Sequence, residues 1–119
     1  MSEAERLARA YWNSEESRDL DQILAHFDPD ASWLGPGRAH HGVAEFQTFY
    51  SESIVAYPGL TVTIVESLGD LDRCAIRWHA ELTDHAGSRS VLDGVNFMTF
   101  IDNRIASLAT FFDPTPRSV

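Results

Sequence analysis

Apolar residues recur at helical spacing through the first half of the chain and at every second position through the second half. Ser2 and Glu5 form a Ser-x-x-Glu capping box, and Ala4, Leu7, Ala8 and Tyr11 follow at intervals of three and four. That pattern predicts an amphipathic helix over residues 3–14. Residues 15–18 are polar and read as a break. Leu20, Ile23, Leu24 and Phe27 predict a second, shorter helix. It stops at Asp28-Pro29-Asp30, because a proline disfavours helical backbone in the residue before it. Residues 31–34 read as a short strand and Gly35-Pro36-Gly37 as a turn. His40-His41-Gly42 leads into a third helix with Phe46, Phe49, Tyr50, Ile54 and Tyr57 along one stripe, ended by Pro58-Gly59.

Beyond Gly59, residues 60–68, 73–83, 89–101 and 104–112 read as strands joined by connections of hairpin length. Helices followed by a meander predict an α+β fold, with three N-terminal helices packed on a strongly bent antiparallel sheet in one domain spanning 1–119. The strand faces add a second expectation. Residues 73–83 divide into an apolar face of Cys74, Ile76, Trp78, Ala80 and Leu82 and a mixed face of Arg73, Ala75, Arg77, His79 and Glu81. In 89–101, Val91, Val95, Phe97 and Ile101 share a face, yet Leu92, Met98 and Phe100 lie opposite. In the last strand Ile105, Ala109 and Phe111 oppose Leu108 and Phe112. Strands apolar on both sides need cover on both sides, and three short helices cover only one. A homodimer through the sheet face is therefore expected.

Composition narrows the function. The 119 residues, 44% hydrophobic, suffice for one compact core and are too apolar for a disordered chain. Eighteen acidic against nine basic residues give a net charge of −9, which repels phosphate backbones, so no nucleic-acid partner is expected. All the basic residues are arginine, which removes Schiff-base, P-loop and Ser-Lys chemistry. The lone Cys74 cannot form an internal disulfide, the charged N-terminus has no apolar signal segment, and no run of about 18 apolar residues offers a membrane span. A cytoplasmic location is expected. No metal is expected either: HExxH and paired-cysteine motifs are absent, although His79 and Glu81 share a strand face and His41 or Asp113 would supply a third ligand. Nucleotide-binding glycine fingerprints and serine-nucleophile motifs are also absent, so no cofactor is expected.

Three stretches, RDLDQILAHFDPDASW (18–33), HHGVAEFQTFY (40–50) and RIASLATFFDP (104–114), resemble the nuclear transport factor 2-like superfamily and, within it, the SnoaL-like group. That group includes polyketide cyclases, ketosteroid isomerases and limonene-epoxide hydrolases. The resemblance implies a cone-shaped α+β barrel, its bent sheet wrapping the first helix around a deep apolar pocket. It does not fix the reaction, because this fold hosts many. The carboxylate base of ketosteroid isomerases falls on Gly35 here, whereas Tyr11 and Asn96 match their two oxyanion-donor positions. Of the Asp-Arg-Asp set of limonene-epoxide hydrolases only the arginine matches, at Arg77. The two Asp positions fall on His79 and Thr110, and the accompanying Tyr and Asn positions on Trp33 and Gly35.

The resemblance thus implies a catalytic set of His79, Arg77, Tyr11 and Asn96. His79 would exchange a proton, Arg77 would stabilise developing negative charge, and Tyr11 and Asn96 would hold a carbonyl oxygen. The alternation of residues 73–83 gives a different reading, in which Arg77, His79 and Glu81 form a solvent-facing stripe and Arg77 pairs with Glu81 or Asp93. Trp12, Trp33, His41, Phe49, Leu92, Met98, Leu108, Thr110 and Phe112 are the expected substrate-binding wall, the apolar ones being equally suited to a plain core. His40 and His41 are a second acid/base or a solvated pair, His26 and His85 surface residues, and Asp113 a rim acid or an end-of-strand acceptor. The function expected is cofactor-independent proton transfer (cyclisation, isomerisation or dehydration) on a small apolar or aromatic carbonyl compound. The alternatives are a non-catalytic binding module for a small hydrophobic ligand and a dimeric accessory protein with a vestigial pocket.

Overall fold

The structure, a computed structural model, describes residues 1–115 and 117–118. The described elements are α1 (Glu3–Ser17), α2 (Leu20–Leu24), β1 (Phe27–Gly35), β2 (Arg38–His41), α3 (Val43–Ala56), β3 (Gly59–Gly69), β4 (Arg73–Thr83), β5 (Arg89–Ile101), β6 (Arg104–Phe112) and β7 (Arg117–Ser118). The strands form one sheet in the order β2-β1-β6-β5-β4-β3, with β7 paired to β5. The sheet is strongly curved and unclosed, and the helices pack on it in an α+β arrangement, as expected. It is mixed rather than antiparallel throughout, because β1 lies parallel to β6. The whole α3-to-β5 segment separates those two strands, so no hairpin dictates their relative direction.

The α1 cap forms as its sequence predicts. The Glu5 N–H donates to Ser2 Oγ at 3.1 Å and the Ser2 N–H to Glu5 Oε1 at 3.2 Å, a reciprocal arrangement worth about 1 kcal/mol. The helix then continues through the stretch expected as a break and ends at Arg18, whose φ of 55° is left-handed. Glu15 and Arg18 prolong the buried stripe of Ala4, Ala8 and Tyr11 at the next helical intervals, so the core-facing side, and not the polarity, sets the helix length. Glu16 pins this end of the helix by accepting the Val62 N–H of edge strand β3 at 2.8 Å.

Two other boundaries differ from expectation. Phe27 opens β1 instead of closing α2, and its burial comes from the strand. Pro29 is tolerated within β1 because the β1–β6 ladder is interrupted between Phe27 and Ser32, where a missing N–H costs nothing. Residues 38–41 form β2, a hairpin partner of β1, with His41 opposite Ser32.

The register of β4, β5 and β6 decides the rest. Ile76, Asn96 and Thr110 stand side by side, as do Trp78, Gly94 and Phe112. Arg77, Val95 and Phe111 form a neighbouring row on the opposite face, as do His79 and Asp93. The first face carries the core. Near the β3–β4 turn its inner positions, Cys74, Ile76, Met98 and Phe100, are packed solid against residues such as Ala4 and Ala8. Toward the β4–β5 turn, Trp78, Ala80, Leu82 and Leu92 line a cavity instead.

Candidate functional site

The cavity measures about 340 Å³ and lies between α1, α3 and the inner sheet face, within the size range of small-molecule sites. Its sheet wall is mostly apolar, with Leu60, Val62, Ala80, Leu82, Leu92 and Phe112. The helical wall is not. Tyr11 and Glu15 are one turn apart on α1, and the Tyr11 hydroxyl donates to Glu15 Oε2 at 3.0 Å. Tyr50 comes from α3 and meets the Tyr11 hydroxyl at 2.6 Å. Since the single Tyr11 proton is engaged by Glu15, Tyr50 is the donor in that contact. The chain therefore runs Tyr50 to Tyr11 to the Glu15 carboxylate. Arg18 borders its end, with Nη1 3.2 Å from the Glu15 carbonyl and 3.4 Å from Glu15 Oε1, and Nη2 3.2 Å from Ser53 Oγ.

Burial governs the electrostatics of this wall. The Glu15 side chain is only 16% exposed, and desolvation raises its pKa against the opposing pull of Arg18 and the Tyr11 hydrogen bond. Burial first, and the Glu15 charge second, hold the Tyr11 and Tyr50 hydroxyls well above the ordinary phenol range, so both stay protonated.

Asn96 supplies a second polar group from the sheet side. Trp78 Nε1 donates to Asn96 Oδ1 at 2.8 Å. An indole only donates, so the amide oxygen must face it and the amide NH2 must face the other way. Among the described residues no acceptor engages that NH2 group, and Asn96 lines the cavity beside its cross-strand neighbour Thr110. Gly94 makes the arrangement possible. A Cβ there would sit 2.5 Å from Trp78 Cζ2 and 2.8 Å from the Phe111 carbonyl oxygen, so only glycine lets the indole lie across β5. At the mouth, Trp33 and Phe49 pack with ring centres 4.6 Å apart, and the Arg38 guanidinium lies 5.5 Å above the Phe49 ring.

Of the expected site residues, the structure brings Tyr11, Asn96, Trp12, Trp33, Phe49, Leu92, Leu108, Thr110 and Phe112 together around this cavity. Four others lie elsewhere. Arg77 is on the outer face, 54% exposed, and its Nε donates to Glu66 Oε1 at 2.7 Å. His79 is on the same face, 40% exposed, with Nδ1 2.7 Å from Asp93 Oδ1. The physical reason is parity. Even-numbered β4 residues pair with even-numbered β5 residues, so Asn96 and His79 necessarily face opposite sides. Met98 is 1% exposed and belongs to the packed core. His41 is exposed in a shallow concavity beside Ser32 and Glu45, because β2 turns it away from the pocket. Among the described residues no three His, Cys, Asp or Glu side chains cluster as a metal site would require. The expectation passed over Glu15, Arg18, Ser53 and the Trp78–Asn96 bond. The helical series Ala4, Ala8, Tyr11, Glu15, Arg18 was the signal for the first two.

A family model described as a SnoaL-like domain matches residues 8–108. The chain belongs to the SnoaL-like family. Several solved structures share the fold of this SnoaL-like chain. The epoxide hydrolase/cyclase-like enzyme SalBIII, described with pyran ring formation in the polyether salinomycin, is 19% identical, with 98% of this chain and 95% of that one covered at a TM-score of 0.84. A putative polyketide cyclase from Xanthomonas campestris pv. campestris is 20% identical, with 93% and 90% covered at 0.83. TerC, co-crystallised with polyporic acid, is 23% identical, with 94% and 92% covered at 0.80. No curated protein matches the SnoaL-like chain.

Proposed function

We propose that this single-domain SnoaL-like protein is a cytoplasmic, cofactor-independent enzyme that moves a proton on a small aromatic or apolar carbonyl compound. Cyclisation, isomerisation and dehydration all fit that description. The observation that carries the reading is the buried Glu15 carboxyl on Tyr11, lining the same cavity as the Asn96 amide that Trp78 orients. In this reading Glu15 takes the role first given to His79. Its carboxylate removes a proton from the carbon next to the substrate carbonyl, and the electron pair moves onto the carbonyl oxygen. The Asn96 NH2 group and the Thr110 hydroxyl hold that oxygen. The proton then returns from Glu15 to a second carbon or to a departing oxygen. Protonation of Glu15 also frees the Tyr11 hydroxyl to turn toward the ligand. A carboxyl raised by burial narrows its gap to a carbon acid, as general acid–base work requires.

Relatives of this fold with bound or processed small organic molecules, TerC with polyporic acid among them, support a ligand site here. The test is deuterium uptake, followed by NMR, at the carbon beside the carbonyl of small aryl ketones and aryl keto acids. Catalysed exchange that Glu15→Gln removes supports the reading. Binding without exchange for every compound overturns it in favour of a non-catalytic binding module.

The same reading includes a second copy of the chain. On the outer sheet face Leu34, Phe97 and Phe111 are each more than half exposed, and the last two pack edge to face with ring centres 5.9 Å apart. A contiguous apolar row on a sheet face is the kind of surface a twofold dimer covers. Sedimentation of the protein and of Phe97→Asp tests it: a dimer that the substitution splits supports the arrangement, and a monomeric parent chain overturns it.

A further inference from the structure

Seven of the nine arginines of this acidic chain divide into two groups by their surroundings. Arg6, Arg73, Arg77, Arg89 and Arg117 each pair with a surface carboxylate. Arg18 and Arg38 line the cavity, where Glu15 is the one acidic residue among the described lining. Arg18 is 9% exposed, yet its contact with the Glu15 carboxylate is 3.4 Å long, well outside the 2.7–2.9 Å of a charge-assisted pair. Its other contacts are to neutral oxygens, and its Nε is buried with no partner among the described residues. A buried guanidinium so poorly neutralised is costly unless something else supplies negative charge. Arg38 has no acidic partner among the described residues and stacks instead on Phe49. Ser53, which holds Arg18, is one turn beyond Phe49 on α3. Both guanidiniums therefore reach α3 side chains that are one turn apart.

We infer that the pocket takes an organic acid: a planar, apolar body against the sheet, with a carboxylate or an equally acidic enolate on the α3 wall between Arg18 and Arg38. This rests on reading the cavity as a ligand site and narrows the carbonyl compound proposed above to one that carries an anionic group. Arg38 stacked on Phe49 presents its remaining donors at the mouth, where a planar anion is caught edge-on. Arg18 then receives the charge that its own surroundings leave unmatched.

A matched pair of probes tests this without needing the natural substrate. trans-Cinnamate and cinnamamide have nearly the same shape and differ in charge. Calorimetric titration of the intact protein at neutral pH measures both affinities. Nitrogen–proton correlation spectra locate the bound molecule, because Trp12, Trp33 and Trp78 all line the cavity and each carries an indole N–H reporter. The expected result is cinnamate binding about tenfold or more tightly than the amide, a difference of about 1.4 kcal/mol or more. That preference should shrink with added salt and fall severalfold in Arg38→Gln, which alters an exposed side chain. Arg18→Gln should reduce it further where the variant folds. Equal affinities, a preference that survives Arg38→Gln unchanged, or binding of neither probe overturns the inference. Equal binding that still moves the indole signals leaves the ligand-site reading standing and removes only the charge.

Discussion

The two sides of the sheet meet the same kinds of polar residue in opposite circumstances. Outside, Asp93 joins His79 and Arg117, and Arg77 joins Glu66, all about half exposed to solvent. On the inner side, Glu15 lies beside Arg18 in a cavity closed off by α1 and α3. Each of the two acids, Asp93 and Glu15, has an arginine neighbour, yet they shift in opposite directions. Hydrogen bonds from Arg117 and His79 hold the Asp93 carboxyl below its ordinary range, while burial pushes Glu15 above its own. An ion pair lowers a carboxyl pKa when water already solvates the charge. Where water is excluded, the loss of hydration outweighs a long contact to a guanidinium. The raised carboxyl therefore lies on the inner side of the sheet, although the outer one has the histidine.

The sharpest way to break that contrast is substitution on each side. Glu15→Gln should slow deuterium exchange on a responsive aryl ketone by about 100-fold or more, whereas His79→Ala should leave the rate within about twofold. The reverse outcome would return the chemistry to the outer face. Next in size is Gly94→Ala. Its Cβ would meet the Trp78 ring at 2.5 Å, so a loss of about 1–3 kcal/mol in urea unfolding is expected from overpacking.

The opposite pKa shifts give a subtler comparison. Glu15 is raised above its ordinary 4.5 in the fold, so its contribution to stability is full below that value and is lost as pH rises through the folded one. Glu15→Gln should remove this decline from the urea midpoint measured against pH. Asp93 is lowered from 3.8, so its contribution is present above that value and is lost as pH falls through the folded one. Asp93→Asn should flatten only the acid limb, and only slightly, because the group is solvated. Arg77→Ala should have the smallest effect, changing unfolding free energy by no more than about 0.5 kcal/mol, as exposed pairs do.

Much of the fold is readable in the residues themselves. The Ser2–Glu5 cap, the third helix and the long strands follow from local spacing, because their stabilising contacts lie within a turn or a hairpin. Inner and outer faces of β4 were also readable: the Cys74, Ile76, Trp78, Ala80 stripe is the buried one. The match of Arg77 to the related arginine points the other way, because a shift of one residue exchanges the two faces of a strand. The Glu15–Arg18 stretch carries two conflicting signals. Charge suggested a break, while the 4-8-11-15-18 series placed both side chains on the buried side of one helix. The β1–β6 pairing and the Trp78–Asn96 bond, which joins residues 18 positions apart, leave no local trace.

By itself the sequence determined the α+β order, the apolar core face and an acidic, lysine-free chain whose cations are all arginine. Those features follow from spacing and composition, which each residue carries wherever the chain goes. The tertiary structure decided which polar groups share a space. Whether a carboxyl keeps its water, whether an amide points its donors into a cavity, and whether a histidine faces ligand or solvent depend on strand register and on what packs above. Register is set by pairings between distant segments, and desolvation by the walls those segments build. The same kinds of acid and arginine are thus exposed ion pairs on one side of the sheet and a buried Glu15–Arg18 contact on the other.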